Sequence, residues 1–471
     1  GGKILTRGTI SANDKLNGDK LSISQCTFVL FVCIISLKFK KGVIVPAAKI
    51  DSNIYLRPAE ILQKLIRFNT TNPPGNEAAC ISYIRDLLND AGIPSTIIAR
   101  KPERPNLIAH IEGRGKANPI LLYGHVDVVG TENQQWDFPP FDGTLVDGVV
   151  WGRGALDMKG GIAMMLAAFL RAKAENLKPA GNVLLAIVSD EEAGGDFGTK
   201  FLVEKYPELF EDIRYAIGEF GGFNVNLDHK RFYPITISEK QICWMKATIR
   251  GQGGHGSMPV RGGAMMKLSR LLRHLEKNDL PVHVTPPSRM MVEAIASALG
   301  GVKGLLFSRL NNPLMTRTIL NLLGAGGKGF YPLFHNTVSP TVLHGSASIN
   351  VIPSEISVEL DGRLLPGYGP EDMMNELRPI VGDDVHLELI KFDAGPAEPD
   401  MGLFGVLSQI LHEADPEGIT VPSVLSGVTD GRFLSKHGIQ TYGFLPMLLP
   451  ENFNFSATIH AANERVPVRA I

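Results

Sequence analysis

The order of apolar and polar positions predicts alternating helices and strands from about residue 55 onward. Residues 77–92 (EAACISYIRDLLNDAG) repeat their apolar side chains at helical spacing and end at Gly92, a typical C-terminal cap. Residues 160–176 (GGIAMMLAAFLRAKAEN) predict another helix. The short runs PNLIAHIEG, PILLYGHVDVV and GNVLLAIVSD are rich in strand-forming residues. This alternation predicts an α/β fold in which helices cover both faces of a mostly parallel sheet.

The pattern changes near residue 240. Residues 241–251 (QICWMKATIRG) alternate as a half-exposed strand should, and residues 263–277 (GAMMKLSRLLRHLEK) predict an amphipathic helix. After a stretch punctuated by proline and glycine, residues 346–366 return to strand alternation. This order predicts a smaller α+β domain that is inserted into the larger one.

The α/β pattern resumes through VHLELI (385–390) and QTYGFLP (440–446), which we assign to the large domain. We therefore divide the chain into four parts and expect the first to be a disordered or non-native extension. These parts are an N-terminal extension at 1–50, a first catalytic part at 51–240, an inserted lid and dimerisation domain at 241–363, and a second catalytic part at 364–471.

Composition narrows the class of protein. The chain has 471 residues, of which 44% are hydrophobic and 20% charged, as in globular proteins. Lys+Arg 47 against Asp+Glu 48 gives a net charge of -1, which argues against nucleic acid or an anionic membrane as the main partner. The four cysteines show no CxxC spacing and favour a reducing, cytoplasmic location. The apolar run 26–37 is shorter than the roughly 20 residues that span a bilayer, yet it leaves export or anchoring open.

Ionisable side chains follow several of the predicted strands. His125 and Asp127 stand two residues apart, so a strand would point both to the same side. Taken singly, such residues have ordinary explanations: a satisfied core pair, a helix N-cap or a solvated helix start. Together, two imidazoles and several carboxylates suit zinc, and two metal ions need a bridging carboxylate. The residues concerned are His125, Asp127, Asp157, Glu191, Glu192, Glu219 and His460.

Five motifs resemble, in order and spacing, a family of di-zinc amidohydrolases and peptidases. They are GHVDVV, GRGALDMKGG, SDEEAGG, GQGGHGSMP and TIHAANERV. The family includes acetylornithine deacetylase, succinyl-diaminopimelate desuccinylase, aminoacylase, carnosinase and carboxypeptidase G. The resemblance covers about residues 55–470 and implies a zinc-peptidase-like sheet with an inserted lid.

The resemblance implies a ligand set for two zinc ions, which cobalt or manganese could replace. One ion would be held by His125 and Glu219 and the other by Glu192 and His460, with Asp157 bridging them. Asp127 would fix the His125 ring, and Glu191 would be the general base that activates a metal-bridging water. The Asp157–Met158 peptide is expected to be cis. Because residues 461–471 replace a longer segment of the family, we expect His460 to be held less firmly.

The resemblance also implies contacts with the substrate. His255 would stabilise the oxyanion, often in the site of a second subunit, and the inserted domain would form a homodimer. Asn350 and Arg363 would contact the carbonyl and the carboxylate of the substrate, although an ion pair is an equally good explanation for Arg363. Thr429, in SGVTDGRF, is a further candidate for a carboxylate contact.

The expected function is hydrolysis of an amide bond, peptide or N-acyl, in a small substrate that carries a free carboxylate. An N-acyl amino acid or a dipeptide would fit this description. Two alternatives stay open: an aminopeptidase that binds a free α-amine, and a non-catalytic binding protein on the same fold.

Overall fold

The computed structural model of the chain describes residues 53–382 and 384–471. The predictions for residues 1–50, including the apolar run 26–37 and two of the four cysteines, lie outside the described residues. The other two, Cys80 and Cys243, are buried and unpaired. No helix in the described ranges is both long and apolar enough to cross a membrane.

The described residues form the following helices and strands. The helices are α1 Pro58–Ile66, α2 Ala78–Asp90, α3 Lys159–Ala174, α4 Thr199–Lys205, α5 Ala264–Lys277, α6 Pro286–Leu299, α7 Gly301–Ser308, α8 Pro313–Leu322, α9 Ala325–Phe330, α10 Pro370–Val381, α11 Phe404–Ala414, α12 Gly431–Ser435 and α13 Phe455–Thr458. Short 3-10 helices lie at Ile54–Leu56, Pro207–Phe210, Arg309–Asn311, Tyr331–Leu333 and Val468–Ala470. The strands are β1 Ser95–Ala99, β2 Pro105–Ile111, β3 Ile120–His125, β4 Thr144–Val146, β5 Val149–Trp151, β6 Val183–Val188, β7 Tyr215–Gly218, β8 Val225–Leu227, β9 Lys230–Glu239, β10 Gln241–Arg250, β11 Gly254–His255, β12 Thr337–His344, β13 Val351–Ile352, β14 Glu355–Leu364, β15 Val385–Asp393, β16 Ile419–Leu425, β17 Gln440–Gly443 and β18 Arg465–Pro467.

A nine-stranded sheet carries the larger part of the fold. Its order is β1-β2-β6-β3-β7-β17-β9-β16, with β8 beside β9. The central strands β6, β3, β7 and β17 run parallel to one another, whereas β1, β2 and β8 pair antiparallel at the margins. The predicted α/β fold with a mostly parallel sheet is confirmed, and its antiparallel margins make the sheet mixed.

The central strands are buried on both faces because helices cover both. In β3, Leu122 packs into a cluster with α1, α2 and α3, while Leu121 and Tyr123 pack on the opposite side with α4 and α12. Alternate side chains of a strand face opposite ways, so a continuous apolar run is what a doubly covered strand requires.

A separate four-stranded antiparallel sheet has the order β12-β14-β10-β15. Its apolar face packs against α5 and α10. We expected residues 385–390 to lie in the large sheet, but β15 pairs with β10 instead. A short apolar strand has the same pattern in either sheet, and only its long-range partner decides between them. The boundaries of the inserted domain stay a prediction.

Helices α6–α9 lie between the strands of the small sheet in sequence but pack against the large sheet. Val292, Phe307 and Leu320 share a cluster with Phe232 of β9 and Val424 of β16. The segment that the sequence shows only as a stretch punctuated by proline and glycine therefore covers one margin of the large sheet.

The C-terminal residues form β18, which pairs with β5 in a small sheet with β4. Val466, Ala470 and Ile471 are all buried. The chain after His460 is therefore packed against the segment that precedes Asp157.

Candidate metal centre

Three neighbouring parallel strands end at one edge of the large sheet, and ionisable side chains follow each of them. His125 ends β3, Glu191 and Glu192 follow β6, and Glu219 follows β7. Open α/β sheets bind ligands at the carboxyl ends of their strands. Parallel pairing thus brings together residues that lie far apart in sequence.

Asp157 stands between the two predicted histidine ligands. Its Oδ1 lies 3.3 Å from Nε2 of His125, and its Oδ2 lies 3.2 Å from Nε2 of His460. The Asp157–Met158 peptide is cis, as expected. Gly124 leaves room for this turn, because a Cβ there would lie 2.5 Å from the Cε of Met158.

Each imidazole also faces one glutamate. His125 Nε2 is 3.3 Å from Glu219 Oε2, and His460 Nε2 is 3.2 Å from Glu192 Oε1. The five predicted ligands therefore form two groups that share Asp157. Below, the group of His125 and Glu219 is called the inner half, and the group of His460 and Glu192 is called the outer half.

The donor atoms are close enough to surround cations. Ligand atoms of His125, Asp157 and Glu192 all lie within 4.8 Å of one another, and so do those of His125, Glu191 and Glu219. Burial raises the pKa of Glu191, Glu192 and Glu219, that of Glu219 to about 8, and the neighbouring carboxylates add to this effect for Glu191. This crowding of buried carboxylates fits divalent cations, whose charge would stabilise the ionised forms.

Glu191 lies beside the two groups. Its Oε2 is 3.9 Å from His125 Nε2, farther than the 3.3 Å of Glu219. Its Oε1 is 4.0 Å from Nη1 of Arg432, a buried side chain that sequence reasoning missed. Arg432 belongs to the SGVTDGRF segment, in which the resemblance indicates only Thr429 as a candidate site residue.

Asp127 contacts both the His125 ring and the turn that bears Glu191 and Glu192. Nδ1 of His125 donates to the backbone carbonyl of Asp127 at 3.0 Å, whereas the Asp127 carboxylate is 3.5 Å away. A carbonyl can only accept, so the proton lies on Nδ1 and Nε2 is free to bind a metal. The carboxylate accepts the backbone N–H groups of Glu191 and Glu192, both at 3.1 Å. Asp127 thus fixes the turn that bears these two glutamates.

A buried hydrogen-bond network around Asp127 was also not predicted from the sequence. Asn72 donates from Nδ2 to Asp127 at 2.8 Å and to Asp190 at 3.0 Å. Arg104 donates to Asp190 and, through two nitrogens, to Glu77. The available signal was Asn72 in the unusual sequence TNPPG. The network supports the turn from behind, away from the ligand atoms.

Two further buried residues anchor the outer half. Glu464 accepts the backbone N–H groups of Gly154, Leu156 and Asp157, and it pairs with Arg153 at 2.8 Å. Arg153 also donates to the carbonyls of His460 and Ala461. Both residues lie inside motifs quoted above, GRGALDMKGG and TIHAANERV. His460 is therefore tethered through its backbone, although its side chain is 47% exposed.

His255 ends β11, and Asn350 directly precedes β13, the strand that pairs with β11 in a separate two-stranded sheet. The His255 ring contacts Ser257 Oγ at 2.7 Å, and the Asn350 carbonyl accepts from the Gly256 N–H. In the described part of the chain, neither side chain forms a hydrogen bond or ion pair with the predicted ligands. Their roles stay predictions.

Arg363 and Thr429 both have partners within the chain. Arg363 donates to both carboxylate oxygens of Asp361, at 2.7 and 3.1 Å, which is the ion pair considered as its alternative. Thr429 is buried, and its hydroxyl donates to Glu239 at 2.9 Å. Thr429 is connected to the site by Arg432, whose Nη1 donates to the Thr429 carbonyl.

The fold and the paired donor groups define a metal-dependent hydrolase. The model of Peptidase family M20/M25/M40 matches residues 121–471, and the chain belongs to that family. The resemblance inferred from the five motifs is thereby confirmed, as is the assignment to amidohydrolases and metallopeptidases.

Two curated relatives and one solved structure illustrate the range of the family. A "Probable carboxypeptidase S-like 2" of Dictyostelium discoideum is 27% identical over 74% of this chain and 68% of its own length. The "N-fatty-acyl-amino acid synthase/hydrolase PM20D1" of Bos taurus is 28% identical over 75% and 71%. The M20 family metallo-carboxypeptidase Sso-CP2 from Sulfolobus solfataricus shares the fold, with TM-score 0.62 and 17% identity over 89% of this chain and 95% of that chain.

Proposed function

We propose that this chain hydrolyses the amide bond of a small substrate with a free carboxylate, an N-acyl amino acid or a dipeptide. The observation that carries the proposal is the position of Asp157, each of whose oxygens faces a different imidazole. The relatives support the substrate class, since one is named as a hydrolase of N-fatty-acyl amino acids and another as a carboxypeptidase.

We assign two zinc ions to the site, with cobalt or manganese as substitutes. The inner half would hold one ion through His125 and Glu219, the outer half would hold the other through Glu192 and His460, and Asp157 would serve both. When bound, the two ions would polarise the scissile carbonyl and lower the pKa of a nearby water.

Glu191 is the proposed general base. Its carboxylate would take a proton from the attacking water and deliver it to the nitrogen of the leaving amine. One feature supports this role: Glu191 Oε2 lies 3.9 Å from His125 Nε2, whereas Glu219 Oε2 lies 3.3 Å from it. Arg432, 4.0 Å from its other oxygen, would orient the carboxylate.

A homodimer is proposed to complete the site. His255 is exposed at the end of β11, and its side chain forms no hydrogen bond or ion pair with the metal ligands among the described residues. The adjacent small sheet ends in β12, whose Val342 and Leu343 are exposed and whose outer edge has no neighbouring strand in the described residues. Pairing of two such sheets would cover these side chains and present His255, with Asn350 near it, to the other subunit. Arg363 and Thr429 remain candidates for the carboxylate of the substrate.

The decisive experiment measures turnover of N-acyl amino acids, dipeptides and simple aminoacyl amides with zinc present. Wild-type protein should hydrolyse the first two classes, and Glu191→Gln should lower kcat by about 10³-fold or more because the amide cannot accept the proton. Glu204→Gln, an exposed glutamate on α4, is the matched control and should keep full activity.

Three outcomes would contradict the proposal. Full activity of Glu191→Gln would remove the proposed base. Cleavage of aminoacyl amides alone would indicate an aminopeptidase. Failure of the zinc-loaded wild-type protein on every substrate would favour a non-catalytic binding protein.

A further inference from the structure

Helices α7 and α8 carry an apolar surface that faces solvent. Its four most exposed members are Leu314 at 92%, Val302 at 82%, Leu322 at 66% and Leu305 at 59% of their full accessible area. We call these four residues the outer aliphatic face. Single exposed leucines are common, but four on one short helical segment are characteristic of an interaction surface.

The same two helices have a separate inner face. Phe307, Ile319 and Leu320 are buried in the cluster that covers β9 and β16. The helices are thus already anchored to the protein core, and the outer aliphatic face is additional. A surface helix that needs only one buried stripe would have polar residues at these outer positions.

The charges around this face are segregated. Between Glu293 and Glu355 the sequence contains no acidic residue, whereas helices α7–α9 and their connections contain Lys303, Arg309, Arg317 and Lys328. Two of these form ion pairs with residues outside the segment, Lys303 with Asp228 and Arg317 with Asp279. Arg309 and Lys328 are exposed and have no ion-pair partner among the described residues.

We propose that the outer aliphatic face docks on the surface of a lipid bilayer that contains anionic lipids. Aliphatic side chains would enter the boundary between headgroups and acyl chains, and Arg309 and Lys328 would bind lipid phosphates or carboxylates beside them. The net charge of -1 averages over the whole chain and does not describe this surface. The proposal stands independently of the proposed catalytic function, because it uses no residue of the metal centre.

A bilayer fits this face better than a second copy of the chain. The two helices of this face are joined by a 3-10 turn, and their segment carries Arg309 and Lys328, which have no ion-pair partner among the described residues, without any acidic residue of its own to match them. A symmetric contact would bring the basic groups of two copies toward each other.

The test is co-sedimentation of the full chain with vesicles, either of phosphatidylcholine alone or of an equimolar mixture with phosphatidylserine. Wild-type protein should bind the mixed vesicles more tightly, and binding should weaken as salt is raised. The triple variant Leu305→Gln, Leu314→Gln and Leu322→Gln should bind at least about tenfold more weakly, because its side chains no longer gain from leaving water.

The matched control replaces three exposed apolar residues elsewhere, Leu56→Gln, Ile97→Gln and Leu145→Gln, and should bind as the wild type does. A second variant, Arg309→Gln with Lys328→Gln, should weaken binding to the mixed vesicles and reduce its salt dependence. This variant keeps the test decisive if the triple variant does not fold.

Several results would overturn the proposal. Absence of wild-type binding would do so, as would unchanged binding of the triple variant, which would place the contact elsewhere, for example at residues 26–37. A change in the mass of the triple variant in solution, measured by light scattering, would instead identify the face as a contact between copies.

Discussion

The inner and outer halves of the metal centre use the same kinds of ligand but are supported in different ways. In the inner half the side chains of His125 and Glu219 are only 2% and 4% exposed, and both residues stand at the ends of central parallel strands. In the outer half the side chain of His460 is 47% exposed and lies in a turn with φ 57°. Sheet register positions the first histidine, whereas side-chain anchors position the second.

This difference has a functional meaning. A ligand at a strand end moves only if the sheet moves, but His460 depends on hydrogen bonds from Arg153 to its backbone and on the packing of β18. We therefore expect the outer half to exchange its metal faster and to be the half that opens for substrate. Asp157 and Glu464 connect the sheet that supports the inner half with the anchors that hold the outer half.

Removing the shared ligand should have the largest effect. Asp157→Asn weakens both halves, so the metal content should fall in both and kcat should drop by about 10³-fold or more. Metal analysis and steady-state kinetics measure the two effects. Asp147→Asn, an exposed turn residue that already has positive φ, is the control. Loss of metal from the outer half alone would show that Asp157 is not shared.

Breaking the anchor of the outer half should release the outer metal ion and leave the inner one bound. Arg153→Met leaves Glu464 buried without its partner and frees the carbonyl of His460. We expect a loss of about 3–5 kcal/mol in the free energy of unfolding, measured by urea denaturation, and selective loss of the outer metal. Arg171→Met, at an exposed ion pair on α3, should cost less than about 1 kcal/mol. Equal loss of both metals would contradict the distinction between the halves.

The change with the smallest expected effect on the metal centre lies outside both halves and acts on stability through pH. Lys240, between β9 and β10, donates to the His335 carbonyl and to Thr337, and burial lowers its pKa from 10.5 to about 7, with Arg363 adding to the decrease. The unfolded chain therefore binds more protons between about pH 7 and pH 10.5, so stability should rise with pH in this window.

Urea denaturation across this pH range checks the expectation. Lys240→Met should reduce the rise but not abolish it, because burial also lowers the pKa of Lys159 to about 8. Lys246→Met, in the same strand β10, should keep the full rise. Metal content should be equal in both variants because neither residue contacts a ligand. An unchanged rise in Lys240→Met would assign the titration to other groups.

The sequence predicted the parts of the molecule that depend on local periodicity and on motif order. The buried strands before His125, Glu191 and Glu219 were recognisable as apolar runs, and parallel pairing then brings their ends together. The placement of β15 beside β10 was not predictable in this way, because a half-exposed strand carries no mark of its distant partner. The packing of α6–α9 on the large sheet was not predictable from the sequence for the same reason.

Supporting residues were harder to predict than ligands. Arg153 and Glu464 act through backbone groups, which have no signature in side-chain patterns, and Asn72 meets Asp127 from a distant loop. Arg363 shows why residue type alone leaves two explanations open, since its side chain suits a substrate carboxylate and also pairs with Asp361. Residue type indicates what a side chain can bind, and only the fold determines which partner it meets.

The most direct test of the two-metal account is the zinc content of the Glu191→Gln variant, measured by elemental analysis together with its turnover. The account predicts about two zinc ions per chain and loss of turnover, because Glu191 transfers protons and does not hold the metal. A variant with one ion or none, or one that remains active, would contradict it.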